Sequence, residues 1–490
     1  MLVIVLLALA LSLSLAQFQP LADLGYWSLA LVAPYWLGSA LIGRGVSAVS
    51  LRSIAADAGR AQRRRLLIHM LANLWLIAGS GLIITLGLAN LIAVRWGMAY
   101  WPLLPQLLLL TPFVVALLLF WMQEYPGYIA IRSRQMLMAY GGSPARASIW
   151  TRREFLLYNI RHHLLFILVP ISLIFLGQDL LFLAAMRWLP EEYHSYFVSG
   201  GSIACALCVF IIMPAIIVRI WRTAPLMPDA LRDRLELISR KLALRFRKLL
   251  IWQTGNMIVN ACVMGIWAPV RYVLLSDELV RNMEPNQVEA VFAHEAGHIV
   301  HHHIFYSGLF AAASIGWTTA IVGIIMEISG WGSETGEFLT LGILIVFWGF
   351  GFGWISRRFE RQSDVTAAWV MGQMAIDSPA GISASADASG RISRDAVAPE
   401  GAAIFARSLE RVAQLAGLSM TQRNWRHGSL AWRVHYIMYL GSTCGSRAQI
   451  DGLVRRIKLW LWIAFASAAA VLVLLGIYED GVKHVIQSLR

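Results

Sequence analysis

The sequence predicts a mainly α-helical, multi-span membrane protein with eight to nine transmembrane helices and a small α+β domain at one membrane face. Three observations predict it. Over 490 residues, hydrophobic side chains make up 58% and charged ones 14%, against roughly 25% charged in an average soluble protein. Mean hydropathy is +0.62, too apolar for a string of water-soluble domains. Several stretches reach the ~20 apolar residues that span a bilayer, and the basic residues alternate between loops. Disordered and nucleic-acid-binding chains need sustained polar sequence, so both classes are excluded.

The spans are expected at about 24–42, 66–90, 102–122, 163–186, 198–219, 304–326, 338–355 and 458–476. A shorter apolar stretch, Leu2–Ala16, opens the chain with no Lys or Arg before it and ends Ser-Leu-Ala; it reads as a retained first span in preference to a cleaved signal. Of the 41 Lys and Arg, all but Arg95, Arg187, Lys483 and Arg490 fall in four loops, 43–65, 123–161, 219–303 and 356–458. That alternation is what the positive-inside rule requires of one topology, with the four basic loops in the cytoplasm. The connection 327–337 carries Glu327, Glu334 and Glu337 without a base and is expected to face outward. The net charge of +13 therefore records topology. Cys205, Cys208, Cys262 and Cys444 are too few and scattered for a disulfide framework; Cys205 and Cys208, inside an apolar run, read as small buried hydrophobes.

These features divide the chain into N-terminal transmembrane helices (1–219), a first domain half (220–303), an inserted transmembrane hairpin (304–355), a second domain half (356–457) and a C-terminal transmembrane helix and tail (458–490). The first half begins with a basic helical stretch, Asp229–Leu250, whose Arg232, Arg234, Arg240, Lys241, Arg245, Arg247 and Lys248 suit contact with anionic lipid headgroups. It continues through a β-prone run into a helix. The second half holds two helical patterns separated by a breaker-rich flexible loop, Ser378–Gly401. Neither half alone buries much core, so the two are expected to form one domain.

The chemistry sits in Val291-Phe-Ala-His294-Glu295-Ala-Gly-His298. Residues four apart share a helix face, so His294 and His298 can aim at a single Zn²⁺, with Glu295 beside them to take a proton from water. Composition gives roughly 0.01 chance matches to this pattern in the chain. A hydrolytic zinc site needs a third protein ligand and an open position. The extended motif with Gly and a third His fails, because positions 301 and 304 are His301 and Ile304. Beyond the hairpin, Glu360 and Asp364 again share a helix face. One carboxylate can ligate while the other holds a ligand histidine by its far nitrogen. His301 and His302 could also approach the metal if the zinc helix continues; otherwise His301–His303 are interfacial histidines.

His294–His298 followed by a membrane hairpin and Glu360-x-x-x-Asp364 resembles the integral-membrane zinc metallopeptidases that include the type I CAAX prenyl protease and the HtpX heat-shock protease. The likeness covers about 250–440. Asn260-Ala-Cys-Val-Met-Gly265 is similar to the family's Asn-Ala-x-x-x-Gly strand, an edge strand that pairs with extended substrate, which implies substrate-binding roles for Asn260, Ala261 and Gly265. Tyr272–Leu279 is similar to the next strand and turn, and His427-Gly428-Ser429-Leu-Ala-Trp-Arg433 to the family's His-Pro-Ser element, with Gly428 in place of Pro. The resemblance implies a gluzincin-like zinc-peptidase domain with one Zn²⁺ per chain held by His294, His298 and Glu360. Glu295 is then the catalytic base and His427 a catalytic group that helps stabilise the tetrahedral intermediate, with Asp364 and Arg433 in supporting positions. Strand addition at 257–264 would supply backbone hydrogen bonds without reading side chains.

The expected function is a membrane zinc endopeptidase acting on peptide or membrane-protein substrates at the cytoplasmic face, in contact with the lipid bilayer and without nucleic acid. A sensor-protease cleaving a repressor and a catalytically silent scaffold are the alternatives. Arg outnumbers Lys 37 to 4, which points to a bacterial inner membrane and to quality control of membrane proteins. Asp179 in the run 163–186 is expected to face a polar cavity or form a helix–helix hydrogen bond; His69 and Asn73, four apart in another span, pose the same choice.

Overall fold

The structure, a computed structural model, describes residues 22–54, 58–98, 100–139, 149–331, 333–376 and 395–488. Leu2–Ala16 and most of Ser378–Gly401 lie outside these residues. Among the described residues, eight helices are long and apolar enough to cross a membrane, one for each expected span from 24–42 onward. The protein is an integral membrane protein. Each helix runs beyond its apolar stretch, because a helix propagates cheaply once nucleated and ends only where a cap or breaker stops it.

The chain divides into two compact units, residues 1–224 with 252–258, and residues 225–251 with 259–490. The first holds α1 (Val32–Ile54), α2 (Ala58–Ile83), α3 (Leu104–Ala139), α4 (Arg152–Asn159), α5 (Leu165–Trp188) and α6 (Glu191–Ile220). Thr151 and Glu154 form a capping box that starts α4, and a π turn at Ile160–Leu164 carries it into α5. Asp179 is resolved as a helix–helix contact: its carboxylate accepts from the Leu103 backbone N–H at 2.8 Å, just ahead of α3, and from Gln106 Nε2 at 3.4 Å. A carboxylate at a helix N-terminus meets unpaired N–H groups and the positive end of the dipole. His69 Nε2 on α2 lies 3.5 Å from Glu124 Oε1 on α3. The cysteine expectation needs correcting, since Cys205 is half-buried and Cys208 exposed on the apolar α6, where lipid is the natural neighbour. Residues 252–258 belong to this unit, so the expected boundary at 219/220 is not where compactness changes. His162 Nε2 accepts from Trp252 Nε1 at 2.8 Å, the Thr254 carbonyl from Trp150 Nε1 at 2.7 Å, and the Met257 carbonyl from Arg132 at 2.7 Å.

A short sheet follows, formed by β1 (Thr223–Pro225), β2 (Lys248–Trp252), β3 (Ala261–Met264) and β4 (Tyr272–Ser276) in the order β1-β2-β4-β3. β3 is an edge strand, antiparallel to β4 with Ala261 opposite Leu275 and Met264 opposite Tyr272. It is shorter than 257–264, because Met257 and its neighbours pack into the first unit. The helical reading of Asp229–Leu250 also needs correcting. Capped by Asp229, α7 (Ala230–Lys241) ends well before β2. Arg232 pairs with Glu236 at 2.9 Å, Arg234 with Glu289, and Arg247 lies over the Tyr272 ring, so this stretch is more than a lipid-facing basic surface.

The rest of the second unit is α8 (Asp277–Asn282), α9 (Pro285–Val300), α10 (His303–Ser329), α11 (Ser333–Val346), α12 (Gly353–Ile376), α13 (Pro399–Ala416), α14 (Leu430–Ser442) and α15 (Ala448–Ser488). Two expected helical patterns in 356–457 are thus three helices and the start of a fourth. α11 runs through a π turn, Phe347–Phe352, directly into α12. The second arm of the membrane hairpin and the carboxylate-bearing helix are therefore one rod. α15 is likewise continuous with the last span and packs on α10, where Trp317 Nε1 donates to the Ala464 carbonyl at 3.1 Å.

Candidate metal centre

Local sequence places the two histidines. Glu284 and Gln287 form a capping box, and Pro285 occupies the first turn of α9, where a missing N–H costs nothing. Val288, Ala290, Phe292, Ala293, Ala296 and Ile299 bury one face. Glu289 is buried and receives Arg234 in a two-pronged ion pair, tying α9 to α7. Gly297 sets the approach of α9 to α12, since a Cβ there would stand 3.1 Å from the Ser363 Cα.

That approach brings His294 and His298 against Glu360. The two Nε2 atoms are 3.2 Å apart, and each lies 3.6 Å from a different Glu360 oxygen. Two nitrogens bound tetrahedrally to one Zn²⁺ at its usual bond length stand about 3.3 Å apart. Among the described residues, these three are the His, Cys, Asp and Glu side chains that gather in a metal-binding cluster. Donor type, number and spacing all fit a zinc ion with an open fourth position.

The surrounding side chains orient the donors. Asp364 Oδ1 lies 2.9 Å from His294 Nδ1, on the side of the ring away from Glu360, which leaves Nε2 facing inward. Arg433 grips Asp364 with two hydrogen bonds, 2.8 and 2.6 Å, and lies 3.5 Å from Glu360. His427 donates from Nδ1 to Glu360 at 2.8 Å. Burial alone would lower the His294 pKa, but the hydrogen bond and charge of Asp364, then the charge of Glu360, hold it above the ordinary value. Burial and the neighbouring His294 push His298 down to about 3, so it stands neutral, as a ligand must. Burial raises Glu295 to about 7, with Glu360 adding to the rise and His294 opposing it.

The cluster opens into a cavity of about 720 Å³ whose walls include Asn260, Ala261 and Val263 at the sheet edge, Glu295, Phe405 and Leu409, and the loop carrying Asn424 and His427. Asn260 accepts the Ser276 backbone N–H at 3.0 Å, so in an antiparallel ladder the outward backbone groups belong to Ala261 and Val263. The Asn260 side chain accepts the Ala261 N–H at 2.9 Å.

Residues 229–384 match the profile of peptidase family M48. Over these residues the chain is similar to the metallopeptidase domains of this family. Among solved structures, the crystal structure of S. mikatae Ste24p is similar at 14% identity, covering 84% of this chain and 98% of that one with a TM-score of 0.47. No curated protein gives a match to the sequence. Peptidases of this family depend on zinc in general, and the donor set of this metallopeptidase fits that ion.

The peptidase domain brings together His294, Glu295, His298, Glu360, Asp364, His427 and Arg433. Asn260 and Ala261 lie on the cavity wall, but Gly265 is absent from it. Gly265 adopts φ +97°, and a Cβ would collide with the Val270 carbonyl, so glycine serves the turn between β3 and β4. His301 is turned from the metal donors toward Thr366, 2.9 Å away. His303 was not singled out by spacing, yet its Nδ1 stands 3.0 Å from His298 Nδ1. α9 stops at Val300, and His302 takes a left-handed conformation at φ +56°. That break returns His303 to the site, where an unbroken helix would have presented His301 and His302.

Proposed function

We propose that this metallopeptidase is a zinc endopeptidase that hydrolyses peptide bonds in extended segments of membrane-associated substrates, with Glu295 as general base. The observation that supports this most is the meeting, in one cavity, of three candidate metal donors, a half-buried carboxylate outside the donor set and a sheet edge with outward backbone groups. The substrate would lie along β3 as an added strand, bonded to Ala261 and Val263. Zinc, held by His294, His298 and Glu360, would supply Lewis acidity to the scissile carbonyl and to water. Glu295 takes the proton of the attacking water and delivers it to the leaving amine. Arg433 keeps Asp364 and Glu360 ionised, so that one stays an acceptor for His294 and the other a donor to metal. With Nδ1 donating to Glu360, His427 in its protonated form would offer the N–H of its other ring nitrogen to the developing oxyanion.

The alternation of basic loops supports an active site on the cytoplasmic side of the membrane, and the excess of Arg over Lys supports a bacterial inner membrane and a role in membrane-protein quality control. Accessibility labelling of single cysteines placed in 327–337 and 419–428 tests the sidedness: only the latter should be protected from an impermeant reagent outside the cell. For the activity, the purified protein should contain one zinc per chain and cleave casein, lose cleavage with a chelator and regain it with zinc. Stoichiometric zinc without cleavage of casein or peptides would leave a silent scaffold.

A further inference from the structure

Among the polar groups around the metal donors, one chain of hydrogen bonds has directions that fix themselves. Asp451 at the start of α15 accepts from Gln362 Nε2 at 2.6 Å. A carboxylate only accepts, so the Gln362 amide nitrogen faces Asp451 and its Oε1 faces the other way. That oxygen lies 2.9 Å from His303 Nε2, so this nitrogen carries hydrogen. In a neutral His303 the opposite nitrogen, Nδ1, is then an acceptor, and it lies 3.0 Å from His298 Nδ1. His298 therefore holds its hydrogen on Nδ1 and keeps the Nε2 lone pair toward His294 and Glu360. The His303 ring is clamped as well. It stacks on Phe359 with centroids 4.2 Å apart and planes 3° from parallel, and meets the His298 ring nearly edge-on, at 76°. Ser363 Oγ lies farther from His303 Nδ1, at 3.5 Å.

We propose that His303 is a positioning residue that fixes the tautomer and ring orientation of His298 for metal binding, with Gln362 and Asp451 setting its own hydrogen. The proposal rests on the metal-binding reading above. His294 gets the same service from a carboxylate, Asp364; His298 gets it from two uncharged groups, His303 and Gln362, in a relay that ends on the Asp451 carboxylate and is anchored on three helices, α10, α12 and α15. A donor histidine whose supporting acceptor is lost typically binds its metal about 10- to 100-fold more weakly.

Zinc affinity of the full-length protein, measured by competition with a chromophoric chelator, tests this independently of turnover. His303→Phe keeps the stacked ring and removes the acceptor; zinc should bind about 10-fold more weakly. His303→Asn puts an amide oxygen near the place of Nδ1 and should recover most of the loss. Equal affinity in wild type and His303→Phe overturns the proposal, and so does an equal loss in the Phe and Asn variants, which would mark packing as the cause. Should His303→Phe not fold, Gln362→Leu decides: it frees the His303 tautomer and should weaken zinc several-fold, and wild-type affinity there also overturns the proposal. A wild-type protein that binds no zinc would instead refute the metal site itself.

Discussion

The two histidines proposed as metal donors, His294 and His298, sit one helical turn apart and are held by opposite means. His294 leans on an ion pair, Asp364 with Arg433, buried with side chains 2% and 9% exposed. His298 leans on His303 and Gln362, which need carry no net charge. A carboxylate partner raises the basicity of its histidine and fixes its direction, but it leaves a charge that must itself be matched. The His303–Gln362 relay puts no charge directly against its histidine, with the Asp451 carboxylate two groups away, and it depends on three helices keeping register. One ligand is thus secured by charge and the other by geometry, and removing either support should fail differently.

Arg433→Met carries the largest expected effect. It strands Asp364 and Glu360 without a cation, and loss of one partner of a buried pair costs about 3–5 kcal/mol. Denaturant unfolding in detergent should show it, and a change under about 1 kcal/mol would mean the charged support is dispensable. Asp364→Asn keeps the shape and removes the charge. Zinc affinity should drop toward the 100-fold end of the usual range, more than for His303→Phe; the reverse order would break the contrast drawn here. Gly297→Ala probes both supports together. Helix propensity gains up to about 1 kcal/mol and crowding against Ser363 offsets it, so stability should hardly move. Zinc should still bind several-fold more weakly, as α9 and α12 are pushed apart, and unchanged affinity would show that the helix spacing is slack. The smallest effect is in pH. A general base works unprotonated, so kcat/KM should fall about tenfold per unit on the acid side of the Glu295 titration. Burial places that titration at about 7, and a cation beside the carboxylate pulls it lower. A limb above pH 8, or none between pH 4 and 7, contradicts the assignment.

Much of this was legible in the sequence because it is local. His294, Glu295 and His298 stand within one turn, as do Glu360 and Asp364, and helix periodicity alone puts each set on a face. The spans were legible because a bilayer demands length and hydrophobicity. The relay through His303 was not, because it depends on where α9 stops and on the left-handed His302, a backbone event with no signature in a run of three histidines. Asp451 was hidden for another reason: it lies 89 residues from Gln362, and only packing brings them together. The short β3 and the early end of α7 were misjudged where neighbouring residues serve a different unit or strand, so tertiary context overrode local preference.

On the proposed mechanism Glu295 does chemistry and holds no metal. Glu295→Gln, purified in the same detergent, should bind one zinc per chain with near wild-type affinity and lose cleavage by about 10³-fold or more. Wild-type cleavage by that variant, or loss of its zinc, would contradict it.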